Sequence, residues 1–262
     1  MPMTFRIRLF VILLIAGFAG ILSFLFVDLS AFLAVFPVTE TARMPFSPLS
    51  LKLLSLIQPT VLLSVAVFVG ISLAPKVGLS TPAFEAWARR EDFIPALKPQ
   101  VIPGLIGGVV GGIAIILSWV LARPHLPPEF VKRAVAINLL LPVPTRLLYG
   151  GITEELLLRW GVLTLLVWVG WRLFQKRQGQ PRSVYVVSAI VISSVIFGLG
   201  HLPLVVALGT NFTAAIVLYV VSANSVFGLI AGCLYWRKGL EAAIVAHMMA
   251  HVVIVSASFF EK

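Results

Sequence analysis

Apolar runs about as long as a membrane span recur along almost the whole chain, separated by short polar, Pro or Gly breaks. About 20 mostly apolar residues cross roughly 30 Å of hydrocarbon, and a helix satisfies its own backbone hydrogen bonds there. The sequence therefore predicts an all-α fold, a polytopic transmembrane helix bundle of about seven to eight spans. The candidate spans lie near residues 9–36, 51–74, 101–121, 134–174, 183–203, 212–236 and 240–260.

The run 134–174 explains the range in that count. It is too long for one straight span, and Pro142, Pro144 and the pair Gly150-Gly151 interrupt it. We expect residues 132–149 to form a separate short helix that lies in the membrane or enters it. If this helix crosses alone, the chain has eight spans.

The charges of the chain indicate a membrane surface as the partner. Lys and Arg number 20 against 10 Asp and Glu, giving +10, but hydrophobic residues make up 60% of the chain and charged residues only 11%. The cations sit in short loops, where they set orientation and meet lipid headgroups, so we expect no nucleic-acid partner. Cys233 is the one cysteine, which excludes an internal disulfide.

The distribution of cations predicts the orientation in the membrane. With seven spans, the loops on the side of the N-terminus hold twelve Lys and Arg and the opposite loops hold six. The positive-inside rule then places the N-terminus in the cytoplasm. The first apolar run is longer than a signal peptide's, so we interpret it as a retained span of an integral membrane protein, expected in a prokaryotic inner membrane.

Two adjacent glutamates and an arginine interrupt the apolar run 134–174. Charges in a span are costly and are kept mainly where they face a bundle interior or cavity, so we expect a central polar cavity. Glu155 and Arg159 stand at i and i+4, on one helix face, where they can pair. Glu154 points about 100° away, without a partner nearby in sequence, and is a candidate for general acid–base work.

Three histidines lie in later spans. Residues 175–183 turn the chain between two apolar helices that must pack antiparallel, and the hairpin places Glu154 level with His201. His247 and His251 stand at i and i+4, a spacing that lets two imidazoles address one metal or one substrate oxygen. Together these groups could bind zinc or activate a water without one.

The segments "EELLLR" (154–159), "FGLGH" (197–201) and "HMMAH" (247–251) resemble, in order and approximate spacing, the EExxxR, FxxxH and HxxxN/D motifs of the CPBP intramembrane proteases. This group, also called Abi, includes type II CAAX prenyl endopeptidases and bacteriocin-processing or self-immunity proteins. The resemblance covers roughly residues 134–260. We expect residues 134–262 to form a CPBP-like catalytic bundle and residues 1–133 a three-span region with an interfacial segment at 75–100.

The resemblance implies an intramembrane endopeptidase that cleaves a peptide or protein substrate near its C-terminus or the membrane boundary. Glu154 and His201 would activate the attacking water, His247 with residue 251 would stabilise the oxyanion, and Glu155 and Arg159 would support the site. No cofactor is then required. Zinc bound by Glu154, His201, His247 and His251 is the alternative.

The sequence departs from the family pattern at two positions. Residue 251 is His where the family has Asn or Asp, and Trp160 follows Arg159 where Gly is frequent. A His at 251 can still donate a hydrogen bond to an oxyanion, or it can favour a metal site. Two other functions stay open: a non-enzymatic immunity or peptide-binding factor of the same family, and a transporter that relays protons through Glu154 and the histidines.

Overall fold

The computed structural model describes residues 3–35, 47–210 and 212–258, and these residues form helices and no strand. Seven stretches within them are long and apolar enough to cross a membrane. The protein is therefore an all-α integral membrane protein, as predicted. The α-helices are α1 (Met3–Leu22), α2 (Leu29–Leu33), α3 (Pro48–Ser55), α4 (Ile57–Leu73), α5 (Pro82–Arg89), α6 (Ile94–Ala122), α7 (Pro128–Leu140), α8 (Val143–Thr145), α9 (Thr164–Leu173), α10 (Ser183–Leu199), α11 (Leu202–Ala207), α12 (Ala214–Arg237) and α13 (Leu240–Ser258).

The spans agree with the apolar runs in number and differ at their ends. The first extends from Met3 to Phe26 and stops before α2, and the third is longer than predicted because α6 begins at Ile94. The predicted ends at residues 36 and 260 lie outside the described residues. The full set of candidate spans is Met3–Phe26, Leu49–Lys76, Ile94–His125, Val143–Leu173, Ser183–Ala207, Ala214–Arg237 and Leu240–Ser258.

The long run 134–174 divides into two helices at Pro142. Leu141 has extended dihedral angles (φ −75°, ψ 116°), the conformation favoured before proline, and it ends α7. With 13 residues, α7 is about 20 Å long, too short to cross the hydrocarbon. A separate short helix is present, as expected, but it ends at Leu140 rather than at residue 149. The count is therefore seven candidate spans in the described chain.

One of these spans, Val143–Leu173, carries both glutamates and is called the Glu154 span below. It begins with α8 and ends with α9, and between them the backbone is π-helical over Arg146–Glu154 and Leu156–Leu163. A π-helix bonds each residue to the fifth along the chain, and such segments often occur at functional sites. Here the wider turn changes which side chains share a face.

Glycines bring α6 into close contact with its neighbours. A Cβ on Gly108 would lie 2.5 Å from the Ala246 carbonyl oxygen of α13, and one on Gly111 would lie 2.7 Å from the Phe227 ring of α12. Gly107 and Gly111 have GxxxG spacing and face α12, and Gly108 and Gly112 have the same spacing and face α13, so these glycines serve helix packing on two faces. It holds α13, which carries His247 and His251, in a fixed position.

Spans of the N-terminal half pack directly on the Glu154 span. The Thr153 hydroxyl donates to the Gly17 carbonyl of α1 over 2.7 Å, and the Thr145 hydroxyl donates to the Ser23 carbonyl over 2.9 Å. Helix α4 contacts the second π-helical segment. The division of the chain at residues 133 and 134 stays a prediction, but these contacts show that the first two spans help to position the site.

The short helix α5 is attached to the start of α13 by a buried carboxylate. Glu241 Oε1 accepts hydrogen bonds from the Thr81 hydroxyl (2.8 Å) and from the backbone N–H groups of Ala83 (2.8 Å) and Phe84 (2.9 Å). The first-turn N–H groups of a helix have no intrahelical partners and attract an anion. Trp87 on this helix is 55% exposed, which suits the predicted interfacial position.

Candidate active site

Two glycines allow the Glu154 span to lie against α13. A Cβ on Gly150 would lie 2.5 Å from His251 Nε2, and one on Gly151 would lie 2.5 Å from Met248 Cγ. Real Cβ atoms do not approach other atoms this closely, so any side chain at residue 150 would displace the imidazole. The Gly150-Gly151 pair therefore brings both histidines of α13 next to the backbone of the span that carries the glutamates.

A buried ionic network joins the Glu154 span to α13. Glu155 Oε1 lies 3.0 Å from Arg159 Nη1 and 2.7 Å from His247 Nδ1. Glu155 is fully buried, Arg159 is 1% exposed and His247 is 5% exposed. The predicted pair of Glu155 and Arg159 is confirmed. Its bond to His247 was not predicted, and it fixes which nitrogen of this imidazole faces the carboxylate.

Aromatic rings enclose the Arg159 guanidinium. Its carbon lies 4.9 Å from the centroid of the Phe197 ring and 5.8 Å from that of Phe227. Cation–π attraction partly compensates a desolvated guanidinium. The same two rings contact His247, with centroid distances of 5.9 Å and 4.4 Å. The same aromatic pair thus packs against two members of the ionic network.

The unusual Trp160 also has a structural explanation. Its indole is 1% exposed and lies against Gly70 of α4, where a Cβ would collide with the ring. The large side chain after Arg159 is accommodated because α4 has no side chain at that point. Gly70 therefore accommodates this departure from the family pattern.

Glu154 and His201 line one cavity of about 430 Å³ between the Glu154 span, α4 and the end of α10. Both residues thus line one cavity, as expected from the level at which the hairpin places them. Of the fifteen described residues that line the cavity, twelve are apolar or glycine, so the central polar cavity that we expected is not shown. The three polar lining residues are Tyr149, Glu154 and His201.

The free nitrogen of His201 is assigned by its hydrogen bond. Nδ1–H donates to the Phe197 carbonyl oxygen over 2.9 Å. In the neutral ring this bond leaves Nε2 with a lone pair that can accept a proton. Gly200 also lines the cavity, whereas a Cβ on Gly198 would lie 2.5 Å from the Val221 carbonyl oxygen of α12. Gly198 therefore serves packing, and Gly200 leaves space beside the imidazole.

Glu154 lies between the cavity and the ionic network. Its side chain is 20% exposed, and its Oε2 is 3.8 Å from His247 Nε2. This distance is longer than a direct hydrogen bond and suits a bridging water. Since Glu155 occupies His247 Nδ1, the Nε2 atom is the one that addresses Glu154.

His251 stacks on His247, with ring centroids 5.0 Å apart and an interplanar angle of 13°. Its Nδ1 is buried and has no hydrogen-bond partner among the described residues. His201 and Arg146 are near enough to act electrostatically on this ring. The structure thus gathers all six residues singled out in the sequence: Glu154, Glu155, Arg159, His201, His247 and His251.

A metal site requires more than proximity, because several ligating side chains must be able to hold one ion together. Among the described residues, no three His, Cys, Asp or Glu side chains are placed so that they could hold a metal ion together. The structure therefore does not add support for zinc bound by Glu154, His201, His247 and His251, which stays a prediction.

Sequence reasoning missed the parts of the cavity wall that lie outside the three motifs. Helix α4 contributes Leu62, Val65, Ala66 and Val69, and the Glu154 span contributes Tyr149. Apolar residues are spread around α4, so its sequence does not mark the side that faces a cavity. Tyr149 was missed because an α-helical period places it away from Glu154.

These features define a polytopic helical membrane protein with a carboxylate and an imidazole at one intramembrane cavity. Residues 136–253 match the family model described as type II CAAX prenyl endopeptidase Rce1-like, so the chain carries a domain of the CPBP family. The match supports an intramembrane protease of the CAAX type that acts on peptide substrates. No curated protein and no solved structure matches the chain.

Proposed function

We propose that the protein is an intramembrane endopeptidase that hydrolyses a peptide bond near the C-terminus or the membrane boundary of its substrate. One observation carries the proposal: Glu154 and His201, from different spans, line the same otherwise apolar cavity. A carboxylate and an imidazole at one wall can hold and deprotonate a water. The apolar remainder of the wall suits a substrate segment that arrives from the bilayer.

In this mechanism Glu154 and His201 Nε2 hold the water between them. As the water oxygen attacks the scissile carbonyl carbon, its proton passes to Glu154. The new C–O bond forms, the C–N bond breaks, and the proton is delivered to the leaving nitrogen. General acid–base catalysis of this kind contributes about 10²- to 10⁴-fold.

His247 and His251 would stabilise the negative oxygen of the tetrahedral intermediate. The His247 Nδ1–H bond to Glu155 fixes the ring and directs Nε2 toward Glu154, and Nε2 donates to the oxyanion when the ring carries a proton on both nitrogens. Glu155 acts on the substrate only through this bond, and Arg159 neutralises Glu155. Preorganised donors in a site of low dielectric are worth several kcal/mol to the transition state, about 10²- to 10³-fold per donor.

The test compares Glu154→Gln and His201→Ala with the wild type in membranes of a host that lacks the protein. Terminal proteomics identifies new peptide ends, and an internally quenched farnesylated CAAX peptide is tested in proteoliposomes. Both variants should insert normally and lose cleavage by at least about 10²-fold. The matched controls are His125→Ala and Glu129→Gln, which alter exposed residues outside the cavity and should cleave normally.

Two outcomes would remove the proposal: cleavage that persists in Glu154→Gln, or wild-type membranes that contain no fragments missing from the variant. A chelator such as 1,10-phenanthroline should leave cleavage unchanged, because the mechanism uses no metal. Chelator-sensitive cleavage that zinc restores would replace it with a metal mechanism.

A peptide-binding or immunity factor is the second candidate. His251 in place of Asn or Asp favours it, because the family pattern is incomplete at a position that the mechanism uses. Such a factor would keep its phenotype and its bound peptide in Glu154→Gln. The same variant, tested for both cleavage and phenotype, therefore separates the two functions.

A further inference from the structure

Tyr149 is a third polar residue at the cavity, beside Glu154 and His201. It belongs to none of the three motifs, which begin at residue 154. Its ring packs edge-on against Phe24, with centroids 4.7 Å apart and an interplanar angle of 73°. The contact with the first span holds the phenol ring in place at the cavity wall.

The π-helical backbone explains why Tyr149 shares a face with Glu154. Five residues separate them, which in an α-helix corresponds to about 140° around the axis. Over Arg146–Glu154 the backbone instead bonds residue i to residue i+5, so side chains five apart lie nearly one above the other. Glu154 is close enough to act electrostatically on the phenol.

The Tyr149 side chain has a ring contact with Phe24 but no hydrogen bond to another described residue, and it lines the cavity. A phenol donates one hydrogen bond and accepts others. In an apolar cavity, a hydroxyl without a partner costs free energy, so a group that enters the cavity gains by supplying one. A peptide backbone has the same requirement.

We propose that the Tyr149 hydroxyl binds a backbone peptide group of the substrate beside the scissile bond and positions that bond at Glu154. This inference rests on the proposed endopeptidase function and names a residue that determines how the substrate lies. Glu154 and His201 act on water, whereas Tyr149 acts on the peptide. The phenol ring already has its position in the free protein, so the contact costs little ordering of the side chain.

The direct test is Tyr149→Phe, which keeps the ring against Phe24 and removes only the hydroxyl. The matched control is Tyr219→Phe on α12, where the ring packs against Trp119 at 5.8 Å, away from the cavity. Terminal proteomics first identifies the substrates from their membrane fragments. Cleavage of these substrates is then measured in both variants, in the wild type and in Glu154→Gln. We expect kcat/KM to fall about tenfold in Tyr149→Phe and to be unchanged in Tyr219→Phe.

A second measurement locates the contact on the substrate. Synthetic peptides that span an identified cleavage site carry an ester in place of one peptide N–H next to the scissile bond, or a thioamide in place of one carbonyl. One of these changes should slow the wild type about tenfold and have no further effect in Tyr149→Phe. A purely structural role of Tyr149 would give equal losses in both proteins and a lower thermal stability.

The outcomes separate the proposed role of Tyr149 from the proposed endopeptidase function on which it rests. If the wild type cleaves, Glu154→Gln does not, and Tyr149→Phe cleaves like the wild type, the inference fails while the endopeptidase stands. If no fragment depends on Glu154, both fail. If the ester or thioamide substitution in the substrate and Tyr149→Phe in the protein lower the cleavage rate independently, Tyr149 does not bind the peptide.

Discussion

The buried ionic network permits a test that separates structural from catalytic roles. Glu155→Leu removes the carboxylate, Arg159→Met removes the guanidinium, and the double variant removes both. The double variant keeps two side chains of similar volume in place of an ion pair. His247 is itself unchanged in all three variants, but it loses its Nδ1 acceptor wherever Glu155 is replaced.

The magnitudes follow from what each variant leaves buried. Glu155→Leu strands the Arg159 charge, at about 3–5 kcal/mol, and one His247 N–H group, at about 1–3 kcal/mol. The total falls toward the lower end because Phe197 still faces the guanidinium at 4.9 Å. Arg159→Met strands the carboxylate but keeps its bond to His247, at about 3 kcal/mol. The double variant leaves only the unpaired N–H, at about 1–3 kcal/mol.

The free energy of unfolding is measured by SDS titration in bicelles, with fluorescence of the six tryptophans as the signal. The double variant should be more stable than Glu155→Leu, although it carries one more substitution. Cleavage should stay lost in the double variant, because His247 has no anchor. Restored stability without restored cleavage would show that Glu155 acts through the position of His247.

Two results would refute this reasoning. The first is a double variant whose loss of stability equals the sum of the two single losses, because it would mean that the side chains are not coupled. The second is normal cleavage in Glu155→Leu, because His247 would then be positioned without its partner. In the unfolded chain, the polar groups find other partners within the detergent, which reduces every measured loss of stability. The order of stability of the three variants therefore decides the outcome.

Three further predictions concern other elements. Gly150→Ala should displace the His251 ring and lower cleavage at least tenfold in a folded protein, and unchanged cleavage would show that the ring position is irrelevant. Glu241→Gln should speed amide exchange over Pro82–Arg89 with cleavage unchanged, because the first turn of α5 loses its anion, and equal exchange would contradict that role. A cysteine at Gln178, in a Cys233→Ser background, should react with an impermeant maleimide only after permeabilisation, because the cation count places residues 174–182 in the cytoplasm. Labelling in intact cells would show that the orientation is opposite to the predicted one.

The sequence predicts those features that depend on the length and period of ordinary helices. The seven spans follow from apolar length, and the ion pair of Glu155 and Arg159 follows from i, i+4 spacing. The hairpin about residues 175–183 correctly brings Glu154 and His201 to one wall. In each case the local pattern and the tertiary structure require the same geometry.

The features that the sequence does not predict depend on backbone winding and on contacts between distant spans. A π-helix has no marked propensity pattern, so Tyr149 could not be placed beside Glu154 from spacing alone. The bond from His247 to Glu155, 92 residues apart, depends on how deeply α13 lies against the glycine pair. The face of α4 at the cavity could not be predicted for another reason, because apolar residues are spread around all sides of this helix.

The composition of the cavity wall bears on where a substrate can be cut. Leu62 and Val65 are about half exposed, at 50% and 56%, so the cavity borders the lipid. A peptide must leave its helix to present a bond to Glu154, and each backbone group so freed in an apolar cavity lacks a partner. Tyr149, Glu154 and His201 are the polar residues of this wall and offer few replacements. Cleavage near a chain end or a membrane boundary leaves the fewest backbone groups without a partner, because water or headgroups bond to the other freed groups. Cleavage of a long helical span in mid-bilayer leaves the most.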